Sequence, residues 1–96
     1  MQHHAVLAEF SVTPLVDGEI KPFIDSALNE IKRSGLKYEV GPVATTVEGD
    51  IDQVFDAIKH AHEAVLSKGA HRVVTDIRVD EKKGGITMEE EIEGYR

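Results

Sequence analysis

Along residues 4–13, HAVLAEFSVT, the apolar positions Val6, Ala8, Phe10 and Val12 alternate with Ala5, Leu7, Glu9 and Ser11. A period of two predicts a strand with one apolar face and a second face that turns polar toward its end. Pro14 has no amide donor and is expected to stop the ladder, with a turn at 16–18, VDG. The period then changes. Ile20, Ile24, Ala27, Leu28 and Ile31 recur at three-four spacing, with Phe23 widening the stripe, and predict a helix over 20–34. Pro22 is tolerated in its first turn, Lys32 and Arg33 suit its C-terminal dipole, and Gly35 follows as the C′ residue.

Two short strands come next. LKYEV at 36–40 places Leu36, Tyr38 and Val40 on one side; VATTVEG at 43–49 places Val43, Thr45 and Val47 on one face and Ala44, Thr46 and Glu48 on the other. A clearer helix is predicted over 51–67, with Ile51, Val54, Phe55, Ile58, Ala61, His62 and Val65 as its stripe. Asp50 and Gln53 stand at capping-box spacing before it, and Gly69 ends it. AHRVVTDIRV at 70–79 predicts a long strand, and DEKKGG at 80–85 a polar turn. TMEEEIEGY predicts a short closing helix capped by Thr87 with Glu90 in reply; a strand over 85–88 is the alternative.

The order strand, helix, strand, strand, helix, strand predicts an α+β, ferredoxin-like βαββαβ sandwich as a single domain over 1–96. Two helices would cover one face of a four-stranded antiparallel sheet. The other face, still partly apolar at Leu7, needs a partner or a ligand.

Composition narrows the function. With 18 acidic and 11 basic residues the formal net charge is -7, which argues against nucleic acid as partner and is compatible with a cationic small ligand. Cysteine is absent, which excludes disulfides, thiolate catalysis and Cys-ligated zinc. There is no apolar run of membrane length and no signal-peptide pattern, so no membrane partner and a cytoplasmic location are expected. His60 and His62, two residues apart, face different sides of a helix, and His71 starts a strand, so no metal site is expected; His62 is expected to pack against the sheet. His3 and His4, in the opening MQHH, are given no role. No Ser-His-Asp set, HExxH or phosphate-binding glycine loop is legible, and no catalytic residue or cofactor is assigned.

The segments EFSVTPL at 9–15, SGLKYEVGPVATTVEGD at 34–50 and HRVVTDIRVD at 71–80 resemble the small thiamine-binding protein family over nearly the whole chain. The resemblance implies a ferredoxin-like fold assembled as a dimer of dimers, a homotetramer, in the cytoplasm, with thiamine or its aminopyrimidine part as ligand. In the family's pattern the Ser after the first-strand Phe is Ser11, and the Thr and Glu of T-x-E-G are Thr46 and Glu48. One departure is VTPLVDG, where relatives carry a shorter turn.

Ser11, Thr46 and Glu48 are therefore the first candidates for ligand contact. A hydroxyl can donate or accept to a pyrimidine edge, and a carboxylate can accept from a ring N–H or an exocyclic amine. The plainer reading keeps the threonines as β-branched strand residues and Glu48 as a solvated side chain. Asp76 is expected to pair with Arg72 or Arg78, and is alternatively a counter-charge for the thiazolium. Phe10 and Tyr38 are the candidates for stacking. Glu89, Glu90, Glu91 and Glu93 read as a solvated acidic run near Lys82 and Lys83. The function read from the chain is non-catalytic binding of thiamine or a related aminopyrimidine. Its rivals are a structural or interaction protein whose open sheet face serves only oligomerisation, and an enzyme acting on a small aromatic compound.

Overall fold

The alternation of Val6, Ala8, Phe10 and Val12 is realised in a long strand at the centre of one sheet. The computed structural model describes residues 4–93, so His3 and the Gly94-Tyr95 end of the expected closing helix lie outside the described residues. The elements are β1 (Val6–Leu15), α1 (Lys21–Arg33), β2 (Lys37–Val40), β3 (Thr45–Gly49), α2 (Ile51–Lys68), β4 (Arg72–Asp80) and α3 (Met88–Glu93). The strands are ordered β2-β3-β1-β4, and each adjacent pair is antiparallel. This is the ferredoxin-like arrangement expected from the element order.

The register assigns every strand residue to a face. Ala8 lies opposite Val47 on one side and Val79 on the other, and Phe10 opposite Thr45 and Ile77. These share the face covered by α1 and α2, where Val6, Ala8, Phe10, Val12 and Val47 meet Ala27, Ile31, Val54, Ile58, Ala61 and Val65 in one core. The helix stripes were legible from spacing, with one correction on α1, where Ile20 stands at the N-cap and is 50% exposed, and two on α2. Ile51 and Phe55, expected in its stripe, are 40% and 43% exposed; the buried line runs instead through Val54, Ala57, Ile58, Ala61 and Val65. Asp50 and Gln53 form the expected capping box: Gln53 N donates to Asp50 at 2.9 Å, and Asp50 N donates to Gln53 at 3.3 Å. His62 packs toward the sheet as expected, its Nδ1 2.6 Å from the Thr75 hydroxyl.

Pro14 does not end β1. Its register partner is Val73 in β4, and β1 continues to Leu15. The β1–β3 ladder has already finished at Phe10–Thr45, so at Pro14 the strand has a neighbour on one side only. A missing N–H is tolerable on such a one-sided stretch. Val43 likewise lies before β3 rather than within it, and is 88% exposed.

The face away from α1 and α2 is not bare. Gly84 and Gly85 adopt φ values of +91° and +97°, a region that side-chain-bearing residues avoid, and turn the chain back across the sheet. Ile86 N then donates to Ala5 O at 3.1 Å. Ile86 and Met88 close over Leu7 in a second small core, which explains why Leu7 is buried on the open face. α3 starts there, with Thr87 Oγ1 accepting from Glu90 N at 3.2 Å as the expected cap. The expectation of a helix-free second face is thus corrected: α3 occupies one end of it. Among the described residues no helix is long and apolar enough to cross a membrane.

Candidate functional site

The open face is built of cross-strand rows. One row runs Lys37, Glu48, Leu7, Asp80; the next runs Glu39, Thr46, Glu9, Arg78; beyond it stand Ser11 and Asp76, paired across β1 and β4. Strand alternation dictates this grouping once the strand order is known, because residues i and i+2 point the same way. The stretch Thr46-Val47-Glu48 therefore divides its side chains: Val47 goes to the core, and Thr46 and Glu48 to the open face.

A cavity of about 490 Å³ opens on this face, lined by Leu7, Glu9, Thr46, Arg78, Asp80 and, from α3, Glu91. It has an apolar floor element, a hydroxyl, a guanidinium and three carboxylates. Arg78 Nη1 lies 3.9 Å from Glu9 Oε1, an exposed pair of modest strength. On the β2 side of α3 a second hollow of about 510 Å³ is lined by Lys37, Glu39, Met88, Glu89, Ile92 and Glu93. α3 thus stands between two concavities and contributes a wall to each.

Two polar contacts tie α3 to the sheet. Glu48 Oε1 accepts from the Met88 backbone N–H at 2.8 Å, satisfying an amide that the first turn of a helix leaves unpaired. Lys37 Nζ donates to Glu89 Oε1 at 2.7 Å. That hydrogen bond holds the Glu89 carboxyl below its ordinary value and raises Lys37, with Glu48 and Glu39 adding to the rise.

Of the six residues singled out from sequence, Ser11, Thr46, Glu48 and Asp76 share the open face, and Thr46 lines the cavity itself. Ser11 and Asp76 stand in the row beyond it. Asp76 is exposed, and among the described residues it forms no ion pair with Arg72 or Arg78; Arg78 reaches Glu9 instead. The expected Asp76–arginine pair is therefore corrected. Phe10 and Tyr38 are not brought to the same place. Both lie on the helix-covered face, where Phe10 borders a separate hollow of about 160 Å³ with Ile24, Leu28 and Val40. Sequence reasoning missed Glu9, Arg78 and Asp80 as wall residues. Alternation along each strand groups Glu9 with Ser11 and Arg78 with Asp76, but only the cross-strand registers set Glu9 and Arg78 beside Thr46. Nothing in the local sequence places Glu91, because its position depends on where α3 docks. Among the described residues no group of three or more His, Asp or Glu side chains is arranged to hold a metal ion.

Comparison with known proteins places these features in a wider set. Residues 8–96 match a family described as thiamine-binding protein. A UPF0045 protein of Clostridium perfringens is 39% identical over 80 residues, which span 83% of this chain and 84% of the relative. The structure of a domain of unknown function, DUF77, from Bacillus cereus superposes with a TM-score of 0.92 at 33% identity, covering 98% of this chain and 92% of that one. A candidate thiamine biosynthesis/salvage protein from Thermotoga maritima superposes with a TM-score of 0.85 at 40% identity, covering 96% and 99%.

Proposed function

Because this chain belongs to the thiamine-binding protein family, we propose that its open sheet face holds thiamine or a related aminopyrimidine without transforming it. The observation that carries the reading is the cavity of about 490 Å³ around Thr46, on the face that also carries Ser11 and Asp76. Its size falls in the roughly 300–1,000 Å³ range of small-molecule sites. Its chemistry suits the ligand. The Thr46 hydroxyl can donate to a ring nitrogen or accept from an exocyclic amine. The Glu9, Asp80 and Glu91 carboxylates can accept from the amine and offset the permanent charge of a thiazolium. Arg78 supplies donors that a phosphate ester would also use. Ser11 and Asp76 extend the polar surface by one row.

In this reading the protein is a cytoplasmic homotetramer, a dimer of dimers. Exposed Tyr38 and Val40 on edge strand β2, exposed Val43 beside it, and Leu15 and Val74 on the open face are the apolar surfaces available to other copies. Val74 and Leu15 also favour the rival reading, in which the open face serves assembly alone. Calorimetric titration with thiamine, its phosphates and its pyrimidine half separates the two, alongside light scattering. Saturable binding near one ligand per chain supports the binding role. A tetramer that binds none of these compounds favours the assembly role and overturns the proposal.

A further inference from the structure

Glu48 lies on the open face yet does not line the cavity; its carboxylate is engaged by the first residue of α3. The same helix is fixed by the Leu7–Ile86–Met88 cluster and by the Lys37–Glu89 pair. Three residues beyond Met88, α3 presents Glu91 to the cavity. We infer that Glu48 is a positioning residue: by holding the start of α3 against the sheet it sets Glu91 as the cavity wall that favours a cationic ligand. This deepens, and rests on, the thiamine reading. It assigns Glu48 an indirect role in place of direct contact with the pyrimidine.

The physical reason is local. A helix of six residues is too short to persist alone, so α3 depends on its docking contacts. Met88 N is an orphan donor in its first turn, and a carboxylate acceptor there is both a hydrogen bond and a favourable charge at the helix's positive end. Without it, α3 keeps only the Leu7–Ile86–Met88 packing and the exposed Lys37–Glu89 pair, and its start, with Glu91 one turn on, is held less firmly. Thiamine carries a permanent positive charge; its hydroxymethyl aminopyrimidine half does not. A carboxylate wall therefore discriminates between these two compounds, while a general loss of shape does not.

The test titrates thiamine and the hydroxymethyl aminopyrimidine against wild type, Glu91→Gln, Glu48→Ala, Glu48→Gln and the double variant Glu48→Ala/Glu91→Gln. Hydrogen exchange of the 86–93 segment is followed in each. Glu91→Gln is expected to weaken thiamine about fivefold to tenfold and to leave the neutral half within about twofold. Glu48→Ala should give the same selective loss together with faster exchange of 86–93. The double variant should be no weaker than either single one, because both changes remove one interaction. Glu48→Gln keeps an amide oxygen that can accept the Met88 N–H, and should restore slow exchange and most of the affinity. Multiplying losses in the double variant, or Glu48→Gln as damaging as Glu48→Ala while 86–93 stays protected, would mean that Glu48 touches the ligand and would overturn the inference. Equal loss of both compounds in Glu91→Gln would overturn the part given to Glu91. Wild-type protein that binds neither compound overturns the thiamine reading and Glu91's role with it, whereas the holding of α3 by Glu48 then stands or falls on the exchange result alone.

Discussion

On its helix side the sheet buries Val6, Ala8, Phe10, Val12 and Val47 against two helices; on its other side the intervening Leu7, Glu9, Ser11, Thr46 and Glu48 meet a single six-residue helix and solvent. Both faces are drawn from the same strands. The covered face is apolar and closely packed, so its residues answer to volume. The open face is mostly polar, with one buried apolar anchor at Leu7 and the exposed Leu15 and Val74 at its far end. Its residues answer to charge and hydrogen bonding, and there the chain has side chains to spare for a ligand. Stability and recognition are thus divided between neighbouring residues of one strand, and substitutions should separate them.

The largest effect is expected in the covered face. Ile58 is 1% exposed at the centre of the core, and Ile58→Ala should cost about 2–5 kcal/mol in denaturant unfolding, a large share of a small domain's stability. Thiamine affinity of the folded fraction should hold. A cost below about 1 kcal/mol would erase the contrast between the faces.

Asp50 stands between the two regimes, two residues after Glu48. Its side chain caps α2 through Gln53 N, and Asp50→Ala should cost about 0.5–2 kcal/mol of stability with little change in ligand binding. A loss of affinity without a loss of stability would move Asp50 from the helix to the site.

Thr46→Val reverses the pattern. The shape is kept and the hydroxyl is removed on the open face, so stability should change by less than about 0.5 kcal/mol. Thiamine affinity should fall by about 0.5–1.5 kcal/mol, the worth of one ordinary hydrogen bond. Unchanged titration curves would remove Thr46 from the site.

The smallest effect is confined to α3 and depends on pH. The Lys37 hydrogen bond holds Glu89 below its ordinary carboxyl value, so the pair's contribution to docking is complete above the ordinary carboxylate range. It is lost as pH falls through the depressed value. Lys37 is raised chiefly by the same bond, with Glu48 and Glu39 nearby, so at the alkaline end the contribution is lost as pH rises through that raised value. Both groups are solvent-exposed and global stability should barely register either loss. The Glu89 side-chain carboxyl carbon shift, followed by NMR from neutral to acid, should move with a midpoint below that of an ordinary glutamate. A midpoint at or above it would mean that Lys37 does not hold Glu89 in solution.

Much of this fold was legible because local rules and the global arrangement agree. The period-two run at Val6–Val12, the three-four stripes of α1 and α2, and the Asp50–Gln53 spacing each carry their own physical signal, and each element formed within a few residues of its expected bounds. The misreadings fell where a neighbour decides. Pro14 continues its strand because β3 has already ended beside it, and Ile51 and Phe55 are exposed because the core is centred on Val54 and Ile58.

By itself the sequence determined the elements, their faces and therefore that Thr46 and Glu48 would point the same way, since side-chain direction in a strand follows from backbone geometry alone. Only the tertiary structure decided what those side chains meet. The β1–β3 and β1–β4 registers put Glu9 beside Thr46 and Ser11 beside Asp76, and set Phe10 and Tyr38 on the opposite face from them. The docking of α3 gave the Glu48 carboxylate to Met88 and brought Glu91 to the cavity. Those contacts join residues 40 or more positions apart along the chain, from Glu48 to Met88 and from Lys37 to Glu89. No local period encodes such distances; they arise when Leu7, Ile86 and Met88 leave water together and carry the charged residues beside them into place.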